Sequence, residues 1–335
     1  MSAGRACLYQ PETYAIALLF MILSMLSWGS WANTMKLCPG YRFQLFYWDY
    51  VVGLFVGVLA IGLTLGSTGK SGLPFFADIA HADGRHIWLA LAGGAIFNVA
   101  NLLLVAAIEI AGLAVAFPIG IGLALVVGAA GSYIVAPAGN PVLLFGGIVI
   151  VVTAIVLDAA AYRAREQQQN VTARGVVISL ISGLLMGSFY PFVARAMTGK
   201  GAAGPYATAF YFAIGVGVCS LVANTALMRK LLDGRQPVAF DGYAKASLTW
   251  HAWGIIGGAV WMAGAILNFT ASQAHIVGPA VSYSIGQGAT MISAAWGVLV
   301  WREFASAPRR ARILLAWMFA LFICGLTAVA LAPVI

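Results

Sequence analysis

Acidic residues are scarce in this chain. Ten of 335 residues are Asp or Glu, and charged residues of both signs make up 8%. An ordinary soluble domain carries about 25%, so a chain of this length with so little charge has no water-soluble solution. Cysteine is equally sparse. The four, Cys7, Cys38, Cys219 and Cys324, are scattered without a CxxC pair, which excludes a disulfide framework or a zinc site. There is no HExxH, no glycine-rich phosphate loop with its lysine, and no pair of carboxylates at catalytic spacing. An enzyme and an ATP-driven pump are therefore not expected, nor is a cofactor or a bound metal. The net charge of +8 is spread between apolar runs rather than gathered in a block. That distribution speaks against a nucleic-acid partner and for basic loops at a membrane surface.

What the chain has in abundance is apolar length. Hydrophobic residues make up 62% and the mean hydropathy is +0.93. Ten runs reach the roughly 20 residues needed to cross a bilayer: 13–35, 44–66, 87–109, 113–135, 142–162, 174–196, 205–228, 250–273, 279–301 and 313–333. The first begins near Tyr14 and is long enough to span, so it is not read as a cleaved leader. The 39 glycines suit helices packed closely in lipid.

The runs repeat. Glu109 to Gly120 (EIAGLAVAFPIG) returns as His275 to Gly286 (HIVGPAVSYSIG), with glycines, an Ala-Val pair and an aromatic in register. His86-Ile87-Trp88 and Gly93-Gly94-Ala95 return as His251-Ala252-Trp253 and Gly257-Gly258-Ala259, and Gly29-Ser30-Trp31 as Gly187-Ser188-Phe189. The chain reads as a duplication: 1–162, a polar connector 163–173, and 174–335. Five spans per half make the halves inverted in the bilayer, an architecture that places a solute near the midplane between them. The expected fold is thus an all-α integral membrane protein of ten transmembrane helices in two inverted five-helix repeats.

Polar residues inside these runs are the candidate functional groups. Asp49 stands in the second run, where it either carries a coupling proton or pairs with Arg42 or Lys36. Glu109 and its repeat partner His275 are a second pair able to change protonation. Asp158 is read as a local ion-pair partner of Arg163. Asn98 and Asn101 share a helix face, and Asn268 is their counterpart in the second half. Such amides either hold helices together or bind a polar solute. With Trp31, Tyr211, Tyr283 and Gln287 they make up the expected solute site, aromatic faces alternating with hydrogen-bonding groups. Pro118, Gly120 and Gly122, with Gly286 and Gly288, loosen the fourth and ninth helices and are expected to act as gates.

These residues carry a resemblance. Gly29 to Trp31, the Asp49-Tyr50 pair, Tyr206 to Phe212 (YATAFYF) and Trp296 to Phe304 (WGVLVWREF) resemble the drug/metabolite transporter superfamily, and within it the ureide permeases. Gly257 to Trp261, His275, Pro279-Ala280, Tyr283 and Trp301 to Phe304 are also similar to proton-linked rhamnose and glucose/ribose porters. The resemblance implies a carrier that imports a small neutral polar metabolite with a proton across the plasma (inner) membrane. A ureide or nucleobase-like heterocycle is the first choice and a monosaccharide the alternative. The superfamily also contains drug and metabolite exporters; a shallow Asp49 and several amides favour a neutral solute over a cationic drug. A receptor or scaffold on the same fold is the remaining reading, and the paired glycines of the hairpin helices weigh against it. Ureide permeases carry a long central cytosolic segment where this chain has a short connector, and their acidic residue falls on Asp49.

With ten spans both termini lie on one side. Only Arg5, Lys70, Arg85, Arg195 and Lys200 of the 18 Lys and Arg fall on that side, which places both termini outside. In a background lacking the native cysteines, a cysteine replacing Lys70 is expected to react with an impermeant maleimide from outside. One replacing Arg235 should stay unlabelled, and the reverse pattern would overturn the orientation.

Overall fold

The computed structural model describes residues 8–165, 172–232, 234–274 and 276–335. Nine helices among these residues are long and apolar enough to cross a membrane. They are α1 (Tyr14–Ser30, continued by a turn at Asn33–Lys36), α2 (Phe43–Leu63), α3 (Gly84–Ala111), α4 (113–135), α5 (Pro141–Arg165), α6 (Ala173–Ala196), α7 (Pro205–Arg229), α8 (Leu248–Ser272) and α10 (Arg309–Leu331). The chain is thus an all-α membrane protein, and the only β pairing among the described residues is a bridge between Leu8 and Ser71.

The run expected at 279–301 is not a continuous helix. It forms α9 in three pieces, Gly278–Gly286, Ala289–Ala295 and a π turn at Trp296–Val300. The backbone tightens where Gly288 N–H donates to Ile285 and widens where Trp301 N–H reaches back to Trp296. Gly286 and Gly288 flank the break. Helix α4 is interrupted in the matching place by a π turn at Pro118–Gly122. Pro118 has no N–H for the bond to the preceding turn, so the backbone widens there.

Two glycines make the hairpin turns that lead into these helices. Gly112 (φ 77°) joins α3 to α4 and Gly278 (φ 73°) joins α8 to α9, both in the left-handed region that a side chain disfavours. Other glycines let backbones touch. A Cβ on Gly53 of α2 would collide with the Ile255 carbonyl of α8, and one on Gly258 with that of Tyr50. The α7–α3 crossing repeats the device, with Gly215 against Leu91 and Gly94 against Phe212. Likewise α1 lies on α9 at Gly29, beside Ala289 and Ile292, as α6 lies on α4 at Gly187, beside Ala124 and Val127. The most extensive pairings are α3–α6, α5–α10, α2–α8 and α3–α7. Apolar side chains such as Val149, Leu221, Val222 and Trp317 face outward, where a bilayer covers them.

Packing rather than water exclusion holds helices together in lipid. Gly258→Val is therefore expected to lower the thermal midpoint in detergent by the cost of overpacking, about 1–3 kcal/mol. Gly146→Ala, where a Cβ meets nothing within 4 Å, should leave the midpoint unchanged. Equal behaviour of the two variants would refute the close-packing account.

Candidate substrate cavity

A cavity of ≈ 390 Å³ opens between α1, α3, α4, α6, α8 and α9. Its mouth is marked by Phe43, Ile108, Glu109 and Phe117, at the helix ends next to the 36–42 and 109–113 turns. Its floor lies near the middle of the bundle. Trp28 stacks on Trp261 at 5.8 Å, and Phe97 lies 4.3 Å from Trp261 and 5.4 Å from Phe189. The Trp28 indole N–H donates to the Trp261 carbonyl at 3.2 Å. Beneath them Phe212 stacks on Trp261, and Tyr190 packs on Tyr283. The bundle is therefore open at one end and sealed by aromatic rings toward the end that holds both termini.

The polar lining comes from two elements. Gln287, Thr290 and Ser293 follow one another at three-residue spacing along α9 and all line the cavity, sharing a helix face. None makes a side-chain hydrogen bond among the described residues. Asn101 of α3 also lines the cavity; its amide N–H donates to Tyr47 at 3.4 Å, which leaves its carbonyl oxygen uncommitted. Trp31 adds a ring face, tilted on Tyr50 at 4.8 Å.

Of the seven expected solute-site residues, Trp31, Asn101 and Gln287 meet at the cavity and four do not. Asn98 is buried behind it, accepting from Tyr47 and Ser220 at 2.9 Å each. Asn268 is occupied by Tyr190, Ser24 and the Ser282 carbonyl, so it ties α1, α6, α8 and α9 together. The Tyr283 hydroxyl donates to the Ala124 carbonyl at 3.2 Å. Tyr211 is displaced furthest: the short helix Phe75–His81 packs against α7, and Tyr211 donates to its Ile79 carbonyl at 2.8 Å. Thr290, Ser293, Trp28 and Trp261 line the cavity without having been among the expected solute-site residues, although the spacing from Gln287 to Ser293 was there to be seen.

The residues expected as gates surround the floor and walls. Pro118 begins the π turn next to Phe117, and Gly120 packs against Leu104. A Cβ on Gly286 would strike the Trp28 ring, and one on Gly288 would strike Met25. Gly122 has open space beside it.

Asp49 is buried but does not line the cavity. Of its two readings, the pairing with Arg42 or Lys36 is not formed among the described residues. Instead Tyr41 donates to it at 2.9 Å, Tyr243 at 2.6 Å, and His251 Nδ1 stands 2.9 Å from both carboxylate oxygens. Burial, and then hydrogen bonding to the carboxylate, pushes the Tyr41 and Tyr243 phenols above their ordinary range, so both remain protonated donors. Glu109, at the cavity mouth, pairs with Arg235 at 2.5 Å. Among the described residues Asp158 makes no ion pair, and its Oδ1 has no hydrogen-bond partner. The ion pair forms at Glu303 instead, with Lys36 at 2.5 Å and Arg165 at 3.1 Å. His275 lies outside the described residues.

A multi-pass bundle with a lined cavity inside it can hold a small metabolite within the membrane, and its relatives are membrane transporters. The chain belongs to the family described as Sugar transport protein, whose profile matches residues 19–332. It is similar to Ureide permease 1 of Arabidopsis thaliana, 23% identical over 382 residues, covering 94% of this chain and 96% of the relative. Ureide permease 2 of the same plant is 22% identical over 390 residues, with 94% and 96% covered. A solved crystal structure aligns over 94% of this chain and 96% of its own with a TM-score of 0.65 at 16% identity, a likeness of fold.

Glu303 fastens the end of α1, which carries Trp31, to the end of α9, which carries Gln287. Burial raises its carboxyl pKa, but hydrogen bonds and attraction from Lys36 and Arg165 outweigh this and hold it below the usual value. Its stabilisation is therefore complete above about pH 4.3 and is lost as pH falls through the lowered value. Thermal midpoints should fall more steeply on acidification from pH 5 to pH 3 for wild type than for Glu303→Gln. Parallel curves would show that the ion pairs contribute nothing.

Proposed function

We propose that this chain imports a small neutral polar metabolite by proton symport, holding it between α3 and α9 in the cavity. The observation that carries this reading is the uncommitted row Gln287, Thr290 and Ser293, set with Asn101 among indole and phenyl faces. Amides and hydroxyls satisfy the donors and acceptors of an uncharged solute, and the rings cover its flat faces. The one ionisable group in the lining, Glu109, is paired with Arg235, so a charged solute finds no free counter-charge. A volume of ≈ 390 Å³ sits at the small end of ligand pockets.

A ureide or nucleobase-like heterocycle is the first choice. Its ring amides match the two-way hydrogen bonding of Gln287 and Asn101, and the relatives are named for ureides. A monosaccharide is the second reading, supported by the hydroxyls of Thr290 and Ser293, the tryptophan faces and the family's description. With both termini outside, the cavity faces the cytoplasm of a plasma (inner) membrane, and this is the solute-releasing state. The reciprocal glycine contacts of α2–α8 and α7–α3 support two inverted halves, 1–162 and 174–335, joined at 163–173, that rock about the site. The interrupted helices at Pro118 and Gly288 serve as their gates.

Thermal-shift screening of the purified protein with allantoin, uracil, rhamnose, glucose, ribose and tetraphenylphosphonium, an organic cation, tests the assignment. One class is expected to stabilise the protein, and Gln287→Ala should weaken that ligand by about 1 kcal/mol, roughly fivefold. Stabilisation by organic cations alone would favour an exporter and overturn this reading.

A further inference from the structure

Asp49 lies off the cavity, yet donors from three separate segments converge on it. Tyr41 comes from the turn before α2, Tyr243 from the short helix Asp241–Ala244, and His251 from α8. A carboxylate accepts only, whereas a protonated carboxyl must itself donate. An ionised Asp49 accepts from Tyr41, Tyr243 and a His251 Nδ1–H together, and this is the tautomer that its charge favours. With His251 neutral, its Nδ1–H is committed to Asp49 and its Nε2 is the remaining basic atom. The imidazole is 20% exposed and the carboxylate 2%, so a proton from the solvent can reach the pair through the ring.

Such a pair has two forms that differ by one proton. Neutral His251 beside the carboxylate leaves a buried net negative charge; protonated His251 makes a neutral ion pair. Moving the proton on from Nδ1 to Asp49 reverses that hydrogen bond: the carboxyl then donates to His251 Nδ1, while its remaining lone pairs still accept from Tyr41 and Tyr243.

The other charged groups nearby are engaged or distant in chemistry. Lys36 is bound to Glu303 and Lys245 to Asp241. Cys38, Tyr41 and Tyr243 are the titratable neighbours that feel the Asp49 charge. Arg42 stands at the start of α2 with one buried guanidinium nitrogen lacking a hydrogen-bond partner among the described residues.

The centre also touches the cavity indirectly. On the same helix, Tyr47 receives the Asn101 amide and Tyr50 packs on the Trp31 ring. Across from it, Gly254 of α8 lies so close to the Asp49 side chain that it has no room for a Cβ. A change in how α2 sits on α8 therefore reaches two cavity residues.

We propose that Asp49 and His251 together form the proton-binding centre of this carrier, apart from the solute cavity, with α2 relaying its state to Asn101 and Trp31. The proposal deepens the symport reading and rests on it for coupling, but not for proton binding.

Infrared difference titration of the ligand-free protein in liposomes reads the centre itself. In wild type the carboxylate and imidazole bands are expected to change together. Asp49→Asn should remove the carboxylate signal and move the imidazole midpoint, and His251→Gln should move the carboxylate midpoint, each by about one pH unit or more. Either remaining band titrating as in wild type would overturn the centre.

Uptake of radiolabelled allantoin and rhamnose under an imposed pH gradient reads the coupling. Both variants should lose about tenfold or more of the gradient-driven accumulation, the equivalent of about one pH unit of linkage. Gln287→Ala should bind more weakly yet still respond to the gradient. Accumulation at wild-type level in Asp49→Asn and His251→Gln would overturn the proposal even if their bands shift. Absence of exchange for both solutes in wild type would sink the transport reading instead, and the infrared result would then decide the centre alone.

Discussion

Inside a bilayer every backbone N–H and C=O must find a partner within the protein, because there is no water to supply one. Most of this architecture follows from that constraint. The bundle is helical almost throughout, and the break of α9 at Gly286 to Gly288 is buried among other helices and the cavity, as are Gly120 and Gly122 in the π turn of α4. Where α9 tightens and then widens, its carbonyls and amides still pair within the segment, through Gly288 to Ile285 and Trp301 to Trp296. A break in such a helix is possible only where protein or a solute-filled space lies alongside, which is also where a solute must be bound.

The same constraint explains how much could be read from the sequence. Hydropathy sees length and composition, and nine spans agree with it to within a few residues. It cannot see the interruption of α9, because glycine and glutamine at 286–288 sit inside an otherwise apolar run. The hairpin glycines Gly112 and Gly278 were legible because a left-handed turn demands glycine. So were the touching glycines Gly94 and Gly258, which recur in the two Gly-Gly-Ala echoes.

Side-chain partners were less legible. Asn98 and Asn101 share one helix face, yet Ser220 and Tyr47 claim the first and only the second reaches the cavity. Tyr211 is deep by residue count, but a short helix from a loop rises to meet it. Asp49 stood out in the sequence as a carboxyl inside a span, and pairing with Arg42 or Lys36, nearby in sequence, was one of its two readings. Of its actual partners Tyr41 is near in sequence, but Tyr243 and His251 lie far along the chain, and the histidine was visible only as a member of a repeated triplet. Local charge is a poor guide to pairing once helices bring distant positions together.

The aromatic floor has an electrical consequence. A cavity filled with water lies at nearly the potential of the compartment it opens to, so a membrane voltage does not fall evenly across the bilayer. It falls mainly across the layer of Trp28, Phe97, Phe189, Phe212 and Trp261. A charge traversing the whole membrane does work of about 2.3 kcal/mol per 100 mV. Here most of that work is concentrated in one thin stack of rings, whose local field exceeds the bilayer average in inverse proportion to its thickness. A neutral solute crosses that layer without doing electrical work, whereas any proton that accompanies it must be carried through the field at this one step.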